Sequence, residues 1–152
     1  MTPNQKAFLD LIANSEIGVD VLAGSDDGYN VLVGSTPHSI LTFDSYERHP
    51  MIYNQQLNST AAGRYQLLGK YFNHYRIVLD LPDFGPDSQD KIALQQIREC
   101  HALDNIASGN IRMAVAECSR IWASLPGNSY GQHQNNIDDL IQFYIRAGGT
   151  LS

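Results

Sequence analysis

The sequence has 152 residues, of which 43% are hydrophobic and 17% charged, and its formal net charge is −6 at pH 7. A chain of this length can bury a core without disulfides or metals, so we expect one domain over residues 1–152. The negative charge argues against nucleic acid as the main partner. No run approaches the roughly eighteen apolar residues of a transmembrane helix, and the opening MTPNQKAFLDLIANSE lacks the apolar core of a signal peptide. We therefore expect folding in a cytoplasm and no insertion into a membrane.

The first helix is well marked. Thr2 can cap it, Pro3 suits its first turn, and AFLDLI (7–12) supplies an apolar face at helical spacing. The pattern stops at NSEIG (14–18), whose asparagine, serine and glycine favour leaving a helix. Glu16 is thus predicted to lie at the helix end, beside a turn.

The remaining elements differ before and after residue 64. Glycines, prolines and asparagines interrupt residues 20–60, where GYNVLVG (28–34) and ILTF (40–43) predict two short strands. Apolar residues at helical spacing then predict four helices. These lie in RYQLLGKYFNHYRIVL (64–79), SQDKIALQQIREC (88–100), NIRMAVAECSRIWASL (110–125) and NNIDDLIQFYIRAGG (135–149). The expected fold is α+β, helix-dominated, with one small β lobe.

Most motifs that would announce an enzyme class are absent from the sequence, among them GxSxG, the P-loop, GxGxxG and HExxH. The five histidines lack metal-ligand spacing and are expected on the surface or in loops. Cys100 and Cys118 are predicted to be buried thiols on helices, and Trp122 to pack in the core. Neither a metal nor an organic cofactor is implied.

Glu16 is the residue most suited to chemistry. A carboxyl group at a helix end, beside a flexible turn and facing a β lobe, can line a cleft. Partial burial would keep it protonated near neutral pH, as a general acid requires. From its position alone, however, an ordinary solvated glutamate is the favoured interpretation.

Four stretches taken together change that balance. LIANSE (11–16), STAAGRYQLL (59–68), DFGPDSQDKIALQQI (83–97) and ASLPGNSYGQ (123–132) resemble, in order and spacing, the lambda-type phage endolysins. The resemblance implies a lysozyme-like fold with a cleft between lobes. It also implies cleavage of peptidoglycan between N-acetylmuramic acid and N-acetylglucosamine by lytic transglycosylation, which leaves a 1,6-anhydromuramic end. The glutamate of the SE motif is the family's catalytic acid, which here is Glu16.

One carboxyl group suffices for that reaction. A hydrolytic glycosidase usually needs two, whereas a transglycosylase attacks with the sugar's own 6-hydroxyl, an intramolecular nucleophile. The family pattern has an aspartate where this sequence has Asn30, which weakens a two-carboxylate mechanism based on this position. Four aspartates of the loops leave hydrolysis open, namely Asp20, Asp26, Asp27 and Asp44.

The resemblance also assigns substrate contacts. STAAGRYQLL (59–68) would form the floor of the cleft. The small residues 61–63 would let a sugar ring approach the backbone, and the Gln66 amide would bind an N-acetyl group. Arg64 can instead hold the lobe together through a carboxylate, and a packing role is slightly favoured for Tyr65. GNSYGQ (127–132) would form a lower lip, and PMIYNQQLN (50–58) an upper lip without the family's basic residues. The expected substrate-binding residues are Ser59, Thr60, Gly63, Tyr65, Gln66, Tyr130 and Gln132.

The implied partner is the peptidoglycan glycan strand, bound by a monomer. Without a signal, the enzyme would wait in the host cytoplasm for release to the periplasm through a holin lesion. Two alternatives remain open at this stage. One is a true muramidase that uses water and a loop aspartate, and the other is a non-catalytic glycan-binding or virion module.

Overall fold

The computed structural model describes residues 1–127 and 134–152. Helices dominate the described chain, and short β pairings occur only between residues 31 and 67. The predicted helix-dominated α+β class is therefore confirmed. The helices are α1 (Pro3–Glu16), α2 (Val19–Ala23), α3 (Gly69–Val78), α4 (Pro86–Glu99), α5 (Leu103–Ala107), α6 (Ile111–Cys118) and α7 (Ile137–Arg146).

The described residues divide into two compact units. The helical unit comprises Met1–Glu16 and Ala93–Ser152, and the mixed unit comprises Ile17–Ile92. Helix α4 contributes its first half to the mixed unit and its second half to the helical unit. The interpretation of residues 1–152 as a single domain stays a prediction.

Helix α1 anchors the helical unit. Its start is as predicted, since the Thr2 hydroxyl accepts a hydrogen bond from the Gln5 backbone N–H at 3.1 Å and Pro3 is its first residue. Six apolar residues between 7 and 13 are buried, and the helix packs against α5 and α7. The helix ends at Glu16 as predicted, so the carboxyl group projects from the last turn of a rigid, buried element.

The mixed unit has its own core. Its buried members come from the β pairings, from α3 and from the first half of α4: Phe43, Ala62, Leu67, Phe72, Tyr75, Leu81, Phe84 and Ile92. The predicted strands appear as isolated antiparallel bridges rather than continuous ladders. Val31 pairs with Thr42, and Leu32 pairs with Ala62. Turns limit each pairing, since the backbone is left-handed at Gly34 (φ 91°) and Gly63 (φ 87°).

The helix predicted from residue 64 begins instead at Gly69. Residues 63–66 form a turn in which the Gln66 N–H donates to the Gly63 carbonyl at 3.2 Å. Gln66 itself has φ 52°, a left-handed backbone that cannot continue a right-handed helix. The prediction of the helix start failed because Leu67 and Leu68, which precede the helix, continue its apolar periodicity toward the N-terminus.

Two other helical predictions need correction. Helix α6 ends at Cys118 rather than near residue 125, and the short helices α2 and α5 were not expected. Each of these two has five residues, too few for a periodic pattern to stand out. Helix α7 agrees with the sequence, and the Asn136 side chain caps it by accepting from the N–H groups of Asp138 and Asp139.

Candidate functional site

The Glu16 carboxyl group is half-buried and accepts a hydrogen bond from another described residue of the helical unit. The Ser124 hydroxyl donates to Glu16 Oε1 at 3.2 Å. Ser124 follows the end of α6 and belongs to the ASLPGNSYGQ stretch. A residue more than one hundred positions away in the chain thus orients the carboxyl group.

Ser124 is held in turn by a short chain of polar groups. Its hydroxyl lies 2.8 Å from the hydroxyl of Ser15, and the Asn135 amide donates to Ser15 Oγ at 3.0 Å and to the Ser15 carbonyl at 2.9 Å. Because Ser124 donates to Glu16, Ser15 must donate to Ser124, and Asn135 donates to Ser15. All hydrogens in this relay point toward Glu16, which fixes Oε1 without supplying a positive charge.

Burial decides the acidity of Glu16. Desolvation raises its pKa from 4.5 to about 7, and the hydrogen bond from Ser124 offsets only part of this effect. At neutral pH the group is therefore present in both forms. A carboxyl group in this state can donate a proton and later accept one, as general acid–base catalysis requires. The sequence pointed to Glu16, but no local signal in it pointed to Ser15, Ser124 or Asn135.

The mixed unit contains a second polar centre, around Arg64. This side chain is 5% exposed, and its guanidinium lies 5.4 Å from the Tyr29 ring centroid and 5.5 Å from that of Tyr65. Its Nε donates to the Asp27 carbonyl at 3.0 Å, and Nη2 lies 3.7 Å from an Asp27 carboxylate oxygen. The expectation that Arg64 holds the lobe together through a carboxylate is confirmed.

Asp90 of α4 completes this centre. The hydroxyls of Tyr29 and Tyr65 donate to the same Asp90 oxygen at 2.9 and 2.6 Å, and Arg64 Nη1 donates to the Tyr65 hydroxyl at 3.0 Å. Desolvation raises the pKa of Asp90, while both tyrosine hydrogen bonds and the Arg64 charge lower it. The network ties α4 to the turn at 63–66. The α4 stretch is part of the family resemblance, but nothing local in it signalled this partner.

The small residues of STAAGRYQLL are buried by protein. Ala61 is 6% and Ala62 1% exposed, and Gly63 is buried as well. A Cβ at Gly63 would lie 2.4 Å from Oε1 of Gln89, which also accepts the Arg64 backbone N–H at 2.9 Å. The expectation that these residues admit a sugar ring thus needs correction, because the glycine makes room for a protein amide.

The other predicted substrate residues of this stretch differ in availability. Ser59 Oγ accepts from the Ala61 N–H, and Thr60 Oγ1 accepts from the Gly69 N–H, so both hydroxyls support the local backbone. Tyr65 is 5% exposed, which favours the packing role. Gln66 is half-buried, and its amide nitrogen donates to the Gly63 carbonyl at 2.9 Å, which orients its side chain.

The predicted contacts Tyr130 and Gln132 lie outside the described residues. The four aspartates predicted in loops are all exposed, and one of them, Asp20, lies in α2. Two have partners in the mixed unit, since Asp26 accepts from the Tyr46 hydroxyl and Asp27 pairs with Arg64. Asn30, in place of the family aspartate, accepts the Asp26 backbone N–H through its side chain at 2.9 Å.

His49 and Trp122 are both buried. His49 is 1% exposed and lies in a loop, which is one of the two placements predicted for the histidines. Its Nδ1 accepts from the Met51 N–H, and its Nε2 lies 2.8 Å from the Leu67 carbonyl, which satisfies a neutral ring. Trp122 is buried as predicted. Within residues 1–127 and 134–152, His, Cys, Asp and Glu form no group that could hold a metal ion.

Comparisons with known proteins agree over nearly the whole chain. The family model described as Endolysin matches residues 6–151. The endolysin of Escherichia phage lambda is 47% identical over 97% of this chain and 92% of its own length, and that of Escherichia phage P2 is 41% identical over 97% and 94%.

Solved structures give the same result. A bacteriophage lambda lysozyme complexed with a chitohexasaccharide superposes with a TM-score of 0.90 at 46% identity, covering 100% of this chain and 98% of that one. A second structure of the lysozyme from bacteriophage lambda has a TM-score of 0.86 at 45% identity, with the same coverage. The predicted lysozyme-like fold is confirmed.

The fold and the half-buried glutamate define an enzyme of the lysozyme type, a glycosidase that degrades peptidoglycan. The chain belongs to the endolysin family. Among the described residues, no helix has both the length and the apolar character needed to cross a bilayer.

Proposed function

We propose that this chain cleaves the β-1,4 bond between N-acetylmuramic acid and N-acetylglucosamine by lytic transglycosylation, as one catalytic domain with Glu16 as both acid and base. The observation that carries the proposal is the half-buried Glu16 carboxyl group, whose pKa desolvation raises to about 7. A group of that acidity exchanges a proton readily in both directions near neutral pH.

In the proposed reaction, Glu16 alone donates the proton and later accepts one. Protonated Glu16 donates to the glycosidic oxygen as the bond to C1 of the muramic acid breaks. The resulting carboxylate then accepts the proton of the 6-hydroxyl while O6 forms its bond to C1. Glu16 ends the cycle protonated, and no water is consumed. Holding the nucleophile in the same sugar removes much of the entropic barrier.

The Ser124 relay supports a role for one particular oxygen of Glu16. Since Ser124 engages Oε1 at 3.2 Å, we assign the proton transfers to Oε2. A neutral donor at Oε1 stabilises the carboxylate less than a cation would, so the group is reprotonated after each step. An arginine or lysine at Ser124 would instead hold the carboxylate ionised.

Substrate contacts form the second part of the proposal. The Gln66 amide nitrogen donates to the Gly63 carbonyl, which orients the side chain, and its Oε1 is the proposed acceptor for an N-acetyl N–H or a sugar hydroxyl. Tyr130 and Gln132 are proposed as contacts from the family resemblance. Ser59, Thr60, Gly63 and Tyr65 act on the substrate through the backbone they hold in place.

The ligand of a similar enzyme supports the substrate class. The lambda lysozyme that superposes with a TM-score of 0.90 is complexed with a chitohexasaccharide. This favours a polymeric N-acetylated glycan as the substrate of the present chain, and peptidoglycan strands are the bacterial form of such a polymer. We further propose that the enzyme acts as a monomer and reaches the wall from the host cytoplasm through a holin lesion.

Mass spectrometry of the muropeptides released from purified Gram-negative peptidoglycan tests the reaction class. Anhydro ends that borohydride cannot reduce are expected from the wild-type chain. Hydrated, reducible muramic ends would contradict transglycosylation, and the loop aspartates would then become the candidates for a second carboxyl group. No release by folded protein would favour the glycan-binding module.

A further inference from the structure

The mixed unit contains a cavity of about 490 Å³ beside α3. We propose that this cavity binds the acidic peptide stem that peptidoglycan carries on N-acetylmuramic acid. The site rests on the proposed function and deepens it, since it adds a peptide contact to the glycan contacts of the same substrate. Sites for small ligands usually measure about 300–1,000 Å³, so the cavity has a suitable volume.

The exposed part of the cavity lining is cationic. Arg48 and Arg76 both line the cavity, and Glu47 is the one acidic member of the lining among the described residues. In the described part of the chain neither arginine forms an ion pair, whereas Arg64 pairs with a carboxylate. Arg76 Nη2 donates to Asn73 Oδ1 at 2.9 Å, which orients one guanidinium. Guanidinium groups recognise carboxylates through paired hydrogen bonds, so the two arginines favour a carboxylate ligand.

The rest of the lining is largely apolar and uncharged. Phe72 is 7% exposed, and its ring centroid lies 6.2 Å from that of His49. Burial lowers the pKa of His49, and backbone groups engage both of its ring nitrogens, so the ring is neutral. Met51 lies against the start of α3, where a Cβ on Gly69 would be 2.4 Å from its sulfur. A ligand with carboxylates and short apolar side chains matches this lining, and a stem of alanine and glutamate residues has both.

The cavity adjoins the stretch that carries the proposed glycan contacts. His49 Nε2 lies 2.8 Å from the Leu67 carbonyl, and the Gly69 N–H donates to Thr60 Oγ1 at 2.9 Å. Gln66 directly precedes Leu67 in the chain. One residue and one hydrogen bond therefore separate Gln66 from the cavity wall. An extended stem of three residues spans about 10 Å, which is enough to reach the cavity from a sugar bound at Gln66.

An NMR titration tests binding without any turnover. The probe is N-acetyl-L-alanyl-γ-D-glutamyl-meso-diaminopimelate, added to the isotope-labelled full chain. We expect the backbone amides of residues 47–51 and α3 to shift. Arg48→Gln and Arg76→Gln should each weaken binding by about 2–5-fold, as the loss of one exposed ion pair does. No shift in either region up to the solubility limit of the peptide would overturn the proposal.

Two controls separate a stem site from a general effect of charge. Arg98→Gln removes the same charge from an exposed arginine of the helical unit and should leave the affinity unchanged. Inorganic phosphate should not displace the peptide at equal concentration. An equal loss of affinity in Arg98→Gln, or displacement of the peptide by phosphate, would contradict a site built for the stem.

Kinetics on two substrates distinguish this site from the proposed function. The substrates are solubilised peptidoglycan strands with their stems and the same strands after an amidase has removed them. No atom of the stem reacts, so its contacts should lower KM without changing kcat. Arg48→Gln should therefore raise KM by about 2–5-fold on strands with stems only.

The outcomes are separable. Equal increases of KM on both substrates would overturn the stem site and leave glycan cleavage in place. Release of product from neither substrate by the wild-type chain would contradict the proposed function, and the peptide titration would still decide whether the cavity binds the stem.

Discussion

The carboxyl groups of Glu16, the proposed catalytic acid, and of Asp90, which joins α4 to the 63–66 turn, have different surroundings. Both are partly buried, and desolvation is the largest cause of a raised pKa in each. They differ in their donors. Among the described residues, Glu16 accepts a hydrogen bond from a serine, whereas Asp90 accepts two from tyrosines and lies near the buried Arg64 guanidinium.

This difference sets the function of each group. Around Asp90, two tyrosine hydrogen bonds and the Arg64 charge offset part of the desolvation, and the carboxylate serves as an acceptor that joins α4 to the 63–66 turn. Around Glu16 the compensation is incomplete, and the pKa reaches about 7. Incomplete stabilisation of the charged form keeps the proton available for transfer.

The largest effect is expected from Glu16→Gln. The amide cannot donate or accept the required proton, so the clearing of wall suspensions should fall by about 10²–10⁴-fold, toward background. Circular dichroism should show an unchanged fold. Glu99→Gln is the matched control, because Glu99 also ends a helix but is exposed. A Glu16→Gln chain that still clears walls would contradict the catalytic assignment.

Asp90→Ala should lower stability rather than remove a reacting group. It leaves two tyrosine hydroxyls without their shared acceptor and removes one of the two carboxylates near Arg64, at a cost of roughly 2–4 kcal/mol in the free energy of unfolding. Urea unfolding measures the change. Asp87→Ala on the same helix removes only an exposed pair with Lys91 and should cost less than about 1 kcal/mol. Equal losses of stability in Asp90→Ala and Asp87→Ala would contradict a stabilising role for the hydrogen bonds between Asp90 and the two tyrosines.

The raised pKa of Glu16 makes the stability of the chain depend on pH. Because the folded-state pKa is raised, folding is favoured by proton binding. That contribution is complete below 4.5 and is lost as the pH rises through about 7. The shift corresponds to roughly 3 kcal/mol as an upper bound. Wild type should therefore lose stability over this range relative to Glu16→Gln, as measured by urea unfolding at several pH values. Parallel curves for both chains would contradict the buried charge.

The smallest effect concerns Ser124. Since its hydrogen bond lowers the pKa of Glu16, Ser124→Ala should raise that pKa further and move the alkaline limb of kcat/KM to higher pH, by less than about one unit. Ser108→Ala, at an exposed hydroxyl of the same unit, should leave the limb in place. A limb that does not move in Ser124→Ala would show that Glu16 is set by burial alone.

The sequence predicts the parts of the molecule that local rules control. The Thr2 cap, the buried face of α1 and the exit around Gly18 place Glu16 at a helix end without any tertiary information. Helix α4, predicted over 88–100 and observed over Pro86–Glu99, and helix α7 are predicted equally well. These elements follow from periodicity and caps, which act over a few residues.

The remainder depends on contacts between distant positions. Ser124 and Asn135 reach Glu16 and Ser15 across more than one hundred residues, and no spacing rule reveals such a pair. Gly63 was expected to face a sugar because small residues suit that role, but the space beside it is filled by Gln89. The sequence therefore does not reveal which distant residue lies beside a given position.

An NMR titration of the Glu16 carboxyl carbon, assigned by the loss of its signal in Glu16→Gln, would show directly whether this group holds its proton near neutral pH. We predict a pKa of about 7, with a shift to a higher value in Ser124→Ala. A pKa near 4.5 would contradict the catalytic role, because the carboxyl group would then be ionised at neutral pH and could not supply the proton that cleavage requires.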